Sequence, residues 1–308
     1  MGLILPARPN EFTVVLISIL LQSLPFLLLG IFASALVQRY LPAETLMRWL
    51  PRRPLPLVLL SSAAGFVAPV CDCGVIPLAR RLMRKGVPVY AATTLIIAAP
   101  VVNPIVLLST AVAFQGDWRI VALRMSMTLG VAVVIGLLVR AWFPDTTPMG
   151  RVSPGRGSSP AAVSDRSGEN RHDHGAGVVA HASAEFCEVS FYVILGSVFT
   201  AATQTLLPRG DLMAIGGTRV MSIVTLMPVA TLLSICSEAD AFVARAFATT
   251  FSIGAVLAFM TIGQIVDLRM GFLLFRTLRV GIAALIVVLA YVLVFTGALV
   301  INGMVGLP

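Results

Sequence analysis

The chain has 308 residues, 58% of them hydrophobic and only 12% charged, with a mean hydropathy of +0.95. That charged share is about half that of a soluble domain, which excludes a soluble enzyme, a nucleic-acid binder or a secreted disulfide scaffold as the whole of the protein. The net charge of +8 is better read as topology, because arginines collect where a membrane protein meets the cytoplasm.

A transmembrane helix needs about 20 apolar residues at a rise of about 1.5 Å each. In chain order the uncharged runs are Phe12–Gln38, Leu55–Cys71, Val87–Gly116, Val189–Pro208, Val220–Ser237, Ala246–Val266 and Val280–Pro308. Ile120–Val139 joins them, interrupted only by Arg124. Leu55–Cys71 is the weakest and leads straight into a Cys-Asp-Cys-Gly turn. The first run is too long for a signal-peptide core and only Arg8 precedes it, so a retained helix is expected. The runs are continuous rather than alternating, which argues against a β-barrel. The expected fold class is an all-α polytopic integral membrane protein.

Residues 144–184 break the pattern, being rich in Gly, Pro, Ser and charge, and are expected to form a flexible cytoplasmic linker. The linker holds His172, His174 and His181, for which a solvated loop is a better reading than a metal site. It separates two membrane domains, residues 1–143 and 185–308, which align with one another. Gly30, Ala35, Gln38, Leu41 and Pro42 fall on Gly196, Ala201, Gln204, Leu207 and Pro208. Cys71 and Ala79-Arg80 fall on Cys236 and Ala244-Arg245, and Leu123-Arg124 on Leu278-Arg279. An internal repeat is therefore expected.

Charge indicates how the repeats sit. If residues 55–71 cross fully, the 22 basic residues divide evenly between the two sides. If residues 55–85 instead form a re-entrant hairpin, the halves are inverted and 16 of the 22 gather on one side. The inverted arrangement is the preferred expectation, and inverted repeats with broken helices at the midplane are a transporter architecture.

Polar groups at membrane depth are costly, so each needs a reason. Pro69, Cys71, Asp72, Cys73, Gly74 and Pro77 cluster at the first turn, where two prolines and a glycine free backbone groups that must line a cavity or be buried in protein. Cys236, Glu238 and Asp240 stand at the equivalent place in the second half. Pro100, Asn103 and Pro104 break the long run Val87–Gly116, with Gly263-Gln264-Ile-Val-Asp267 as the second-half counterpart. Cys187, beside Glu188 at a helix start, is read as packing. Asp72, Glu238 and Asp240 have a plainer alternative, as anchors near the water interface. Cys71, Cys73 and Cys236, brought together, would suit a soft ion or a trivalent arsenical, because thiolates favour soft centres. The carboxylates beside them would carry protons or balance charge.

Three ordered segments, Cys71-Asp-Cys-Gly-Val-Ile-Pro-Leu-Ala-Arg-Arg-Leu82, Ala98-Ala-Pro-Val-Val-Asn-Pro-Ile-Val106 and Leu233-Ser-Ile-Cys-Ser-Glu-Ala-Asp-Ala-Phe-Val-Ala244, resemble the predicted bacterial permease family of domain of unknown function 318, which includes ArsP-type organoarsenical efflux permeases. The resemblance covers nearly the whole chain outside the linker. It implies a multi-spanning permease of the bacterial cytoplasmic membrane, some relatives being linked to methylated arsenicals and others to copper or zinc export. By motif, Cys71, Cys73 and Gly74 match the family's Cys-X-Cys-Gly turn. Pro100, Asn103 and Pro104 match its Asn-Pro break, and Cys236, Glu238 and Asp240 its Cys-Ser-Glu-Ala-Asp segment. Asp72 departs from the small polar residue expected there and weakens the case for an arsenical.

The expected substrate-binding residues are thus Cys71, Asp72, Cys73, Gly74, Asn103, Cys236, Glu238 and Asp240, with Pro69, Pro77, Pro100 and Pro104 shaping the broken helices. No enzyme activity and no cofactor are expected, and no Gly-x-x-x-x-Gly-Lys-Ser/Thr nucleotide loop occurs in the sequence. The expected partners are the lipid bilayer and a small solute, with a partner subunit or a homo-oligomer left open and no nucleic acid. A scaffolding membrane subunit and a membrane-embedded thiol enzyme stand as the rival readings.

Overall fold

The computed structural model describes residues 12–22, 53–67, 72–143, 193–203, 219–278 and 280–305, with a few single positions between them. Before the stretch 144–184 the described helices are α1 (Phe12–Gln22), α2 (Pro54–Val67), α3 (Asp72–Arg84), α4 (Val89–Val102), α5 (Pro104–Ala113) and α6 (Trp118–Trp142). After it come α7 (Val193–Thr203), α8 (Arg219–Leu233), α9 (Asp240–Phe247), α10 (Ile253–Ile265), α11 (Leu268–Thr277) and α12 (Val280–Val305). Among the described residues all regular structure is helical. In a lipid environment this follows from the need to satisfy every backbone amide and carbonyl within the segment.

Three stretches among the described residues are long and apolar enough to cross a bilayer: Trp118–Trp142, Ile253–Phe275 and Val280–Met304. A fourth crossing results if α4 and α5, bent by 42° at Asn103, count as one broken span. The break is local chemistry. Pro104 is the first residue of α5 and donates no backbone hydrogen, while the Asn103 side chain accepts from Ile105 N at 3.0 Å and caps the new helix. Pro100 lies inside α4, three residues before the break.

Two expected spans end differently from their uncharged runs. Val220–Ser237 is helical only to Leu233, because Ser234 takes a left-handed conformation (φ 44°) that a helix cannot continue. Ala246–Val266 starts its helix only at Ile253, and the span then runs on into α11.

Helices α4 and α10 lie at the centre, buried on nearly all sides, as their uniformly apolar sequences require. Helix α2 packs on α4 and α4 on α6, while α8 packs on α10 and α10 on α12. Contacts between the two sets run α3 to α11, α5 to α9 and α6 to α12. Small residues set the crossings. Gly65 of α2 lies so close to Ala99 that a Cβ there would fall 2.8 Å from the Ala99 carbonyl oxygen, whereas at the α8–α10 crossing the glycine is Gly263, on which a Cβ would lie 3.4 Å from the Ala230 Cβ. Outward faces carry Trp118, Trp142, Val288, Val292 and Val300, all exposed and apolar, the surface that lipid covers.

Candidate substrate site at the broken helices

The α8–α9 break is the polar centre of the second half. Residues 234–239 are non-helical, and their backbone groups are tied down by side chains from elsewhere. Ser234 Oγ donates to Thr231 O at 2.9 Å and accepts from Leu268 N at 2.9 Å. The Ser234 carbonyl accepts from Arg269 Nη2 at 2.7 Å. Arg269 also faces the Cys236 sulfur, with Nη1 at 3.6 Å and Nη2 at 3.7 Å, and stands 3.5 Å from Asp267 Oδ2. Asp267 in turn caps α11 through Met270 N. The breaks at 234–239 and 266–267 are therefore one hydrogen-bonded unit.

Asp240 opens α9 after its backbone N–H donates to the Cys236 carbonyl at 3.0 Å. Its carboxylate is buried and meets Arg124 of α6, whose Nη2 lies 2.9 Å from Oδ1 and 2.8 Å from Oδ2. Gln264 Nε2 of α10 donates to Oδ2 at 2.9 Å. Arg124 is fully buried (0% exposed), and Thr110 Oγ1 of α5 accepts from its Nη1 at 2.6 Å. The Met260 sulfur (3.7 Å from Nη1) and the Ser237 carbonyl (3.4 Å from Nη2) complete its surroundings. The ion pair thus joins residues on either side of the linker.

Several atoms around this pair are buried without a hydrogen-bond partner among the described residues: Arg124 Nε, Ser237 Oγ, Glu238 Oε1 and Gln264 Oε1. Buried polar groups are ordinarily satisfied, so such a group of orphans marks a place for an ion, water or polar solute.

The other expected site residues fall in three places. Gly74 and Pro77 are buried in α3, and Asn103 is buried as the cap between α4 and α5. Pro104 starts α5 and is exposed. Pro69 and Cys71 lie outside the described residues, as do His172, His174 and His181; of Asp72 and Cys73 the backbone alone is described, as the first turn of α3. The meeting of Cys71, Cys73 and Cys236 is thus outside what the structure describes. Cys187 is exposed at its helix start. Among the described residues no three His, Cys, Asp or Glu side chains group as a metal site.

Sequence reasoning gave no place in the site to Arg124, Arg269 or Thr110, and named Gln264 only as part of the second-half break. A signal for Arg124 was present: a lone arginine inside an apolar span demands a counter-charge at the same depth.

The predicted permease family model ArsP_1 matches residues 9–303. The chain belongs to this permease family. The permease is 35% identical over 290 residues to the UPF0718 protein YcgR of Bacillus subtilis, covering 94% of this chain and 96% of that one. It is 33% identical over 265 residues to a protein of Streptococcus mutans described as a putative two-component membrane permease complex subunit, covering 86% of each. A shorter likeness, 27% over 118 residues, links it to the UPF0718 protein YraQ of Escherichia coli. No solved structure matches the permease.

Proposed function

We propose that this permease is a secondary transporter of the bacterial cytoplasmic membrane that exports a thiol-reactive arsenical or soft metal species by alternating access. The observation that carries the reading is the buried Arg124–Asp240 ion pair at a broken helix, joining the two halves beside orphaned polar atoms. Charge at membrane depth marks a solute or ion path, and the interface between repeats is where such transporters bind. Cys236, on the unwound segment against Arg269 and four residues before Asp240, is the thiol of this reading, with Cys71 and Cys73 as its counterparts from the first half. Glu238 and Asp240, with Asp72, balance charge. Asn103 holds the broken backbone of α4–α5.

Two inverted repeats are part of this reading. Supporting them, α1–α6 and α7–α12 match in order, and their packing is reciprocal: α3 against α11, α9 against α5. Asn103 and Asp267 cap equivalent helices, and Gly65–Ala99 and Ala230–Gly263 are equivalent crossings with the glycine exchanged. The described parts of α2 (14 residues) and α8 (15 residues) measure about 21–23 Å against a hydrocarbon core of about 30 Å, lengths that suit re-entrant arms.

A second reading is favoured by the printed description of the Streptococcus mutans relative: the chain is one subunit of a two-component permease and works only with its partner. A resistance and uptake screen of a deletion strain against arsenicals, copper and zinc tests the first reading. Altered tolerance to one solute, restored by the wild-type gene and not by Cys236→Ser, is expected. Unchanged tolerance to all of them overturns the substrate class. Flux reconstituted from the purified chain alone separates the two readings, and flux that requires a second protein favours the subunit.

A further inference from the structure

We propose that Asp240 is the binding site of the coupling proton and that the Arg124–Asp240 pair is the contact between the halves that this proton opens. The proposal rests on the transporter reading above and names the ion that drives it.

The charges around Asp240 do not balance. Arg124 reaches it from α6, while α10 presents the neutral Gln264 and Met260 and α5 the neutral Thr110. Glu238, two residues before Asp240, adds a second carboxylate, and its Oε1 is buried without a partner among the described residues. Arg269 stands on the other side of residues 234–236 with its own carboxylate, Asp267. Arg245, in the last turn of α9, is exposed and sits over the Phe114 ring at 5.8 Å. Among the described residues, with both carboxylates ionised, the site holds one positive and two negative charges. One bound cation restores neutrality, and around the buried Asp240 an uncompensated charge is expensive.

A proton fits because Asp240 has a partner in both of its states. As a carboxylate it accepts from Gln264 Nε2. As a carboxylic acid, with a new O–H bond on one Oδ, it becomes a donor that needs an acceptor. Gln264 Oε1 has no partner among the described residues and reaches that position if the amide turns over. The guanidinium also has somewhere to go. Thr110 holds its Nη1, and the Ser237 carbonyl already takes a hydrogen from its Nη2, so a small shift of the non-helical segment 234–239 brings the Glu238 carboxylate in place of Asp240. The proton arrives from water on one side of the membrane and leaves as hydronium on the other. Each exchange makes or breaks the contact between α6 and α9.

The test needs no transported solute. The full chain in phosphatidylethanolamine–phosphatidylglycerol vesicles is titrated while the carbonyl stretch of protonated carboxylic acid is followed by infrared difference spectroscopy. A band that grows on acidification in the wild type and is missing from Asp240→Asn, beyond the bands of the other carboxyl groups that the two proteins share, is expected. Arg124→Gln should raise its midpoint by about one pH unit or more, because the cation that favours the carboxylate is gone. The neutral pair R124Q/D240N, which removes both charges together and in which Asn keeps the shape of Asp, should fold and lack the band, which guards against loss by misfolding. A D240N spectrum that keeps every titrating band of the wild type, a midpoint that R124Q leaves in place, or a band that sodium displaces relative to choline at equal ionic strength would each overturn the proposal. None of these outcomes depends on which solute the permease carries, so failure of the substrate reading leaves the result interpretable.

Discussion

Arg124 is an expensive residue to keep. A guanidinium with no exposed surface at membrane depth is tolerable only because Asp240, Thr110, Ser237 and Met260 surround it. Removing one partner of such a pair leaves the other charge buried and costs about 3–5 kcal/mol, whereas neutralising both costs much less. Arg124→Gln should therefore lower the thermal midpoint in detergent well below that of the R124Q/D240N pair, and equal losses would place the stability elsewhere. At Asn103 the stake is smaller. Asn103→Ala removes the cap of α5 and should cost about 1 kcal/mol. Asp267→Ala strips a cap and also takes the carboxylate from buried Arg269, so a larger loss, about 3 kcal/mol or more, is expected from the same melting experiment. The Asn103 cap was legible from sequence, because Asn-Pro within an apolar run is local chemistry. The partner of Asp240 was not, because nothing near residue 240 in the chain points to residue 124.

At the scale of helices, close approach decides what each crossing tolerates. Gly65 lies against the Ala99 backbone with no room for a Cβ, so Gly65→Ala must push α2 away from α4 and should destabilise the fold. Gly263 faces Ala230 at an ordinary contact distance. Gly263→Ala should therefore be neutral or slightly stabilising, because alanine is favoured over glycine in a helix by about 1 kcal/mol. Parallel melting of the two variants checks this, and equal destabilisation would show the two crossings to be alike. The apolar runs of the sequence located the helices. The end of α8 escaped them, since Ser234 is uncharged and its left-handed turn is held by Leu268 N and Arg269 from distant chain positions.

The reciprocal contacts of the two halves make a topological prediction for the whole molecule. In the proposed repeat Arg80 and Arg245 occupy equivalent positions, and each reaches the opposite half: Arg80 Nε donates to Thr277 Oγ1 at 2.9 Å, and Arg245 lies over the Phe114 ring. If the halves are inverted, these contacts sit at opposite membrane faces. Reporters fused after Arg84 and after Arg245 should then report opposite sides, and the same side for both would sink the inverted arrangement.

The sequence by itself determined the membrane setting, the helical class, the permease family and the Asn-Pro break between α4 and α5. Each depends on composition or on residues adjacent in the chain: a long uncharged run, or a proline after an asparagine. Tertiary structure alone decided which polar groups meet. Arg124 and Asp240 are 116 positions apart, and Ser234 and Arg269 are 35 apart. A charge in an apolar helix announces that it needs a partner, but only the packing of α6 against α9 and α10 selects which one.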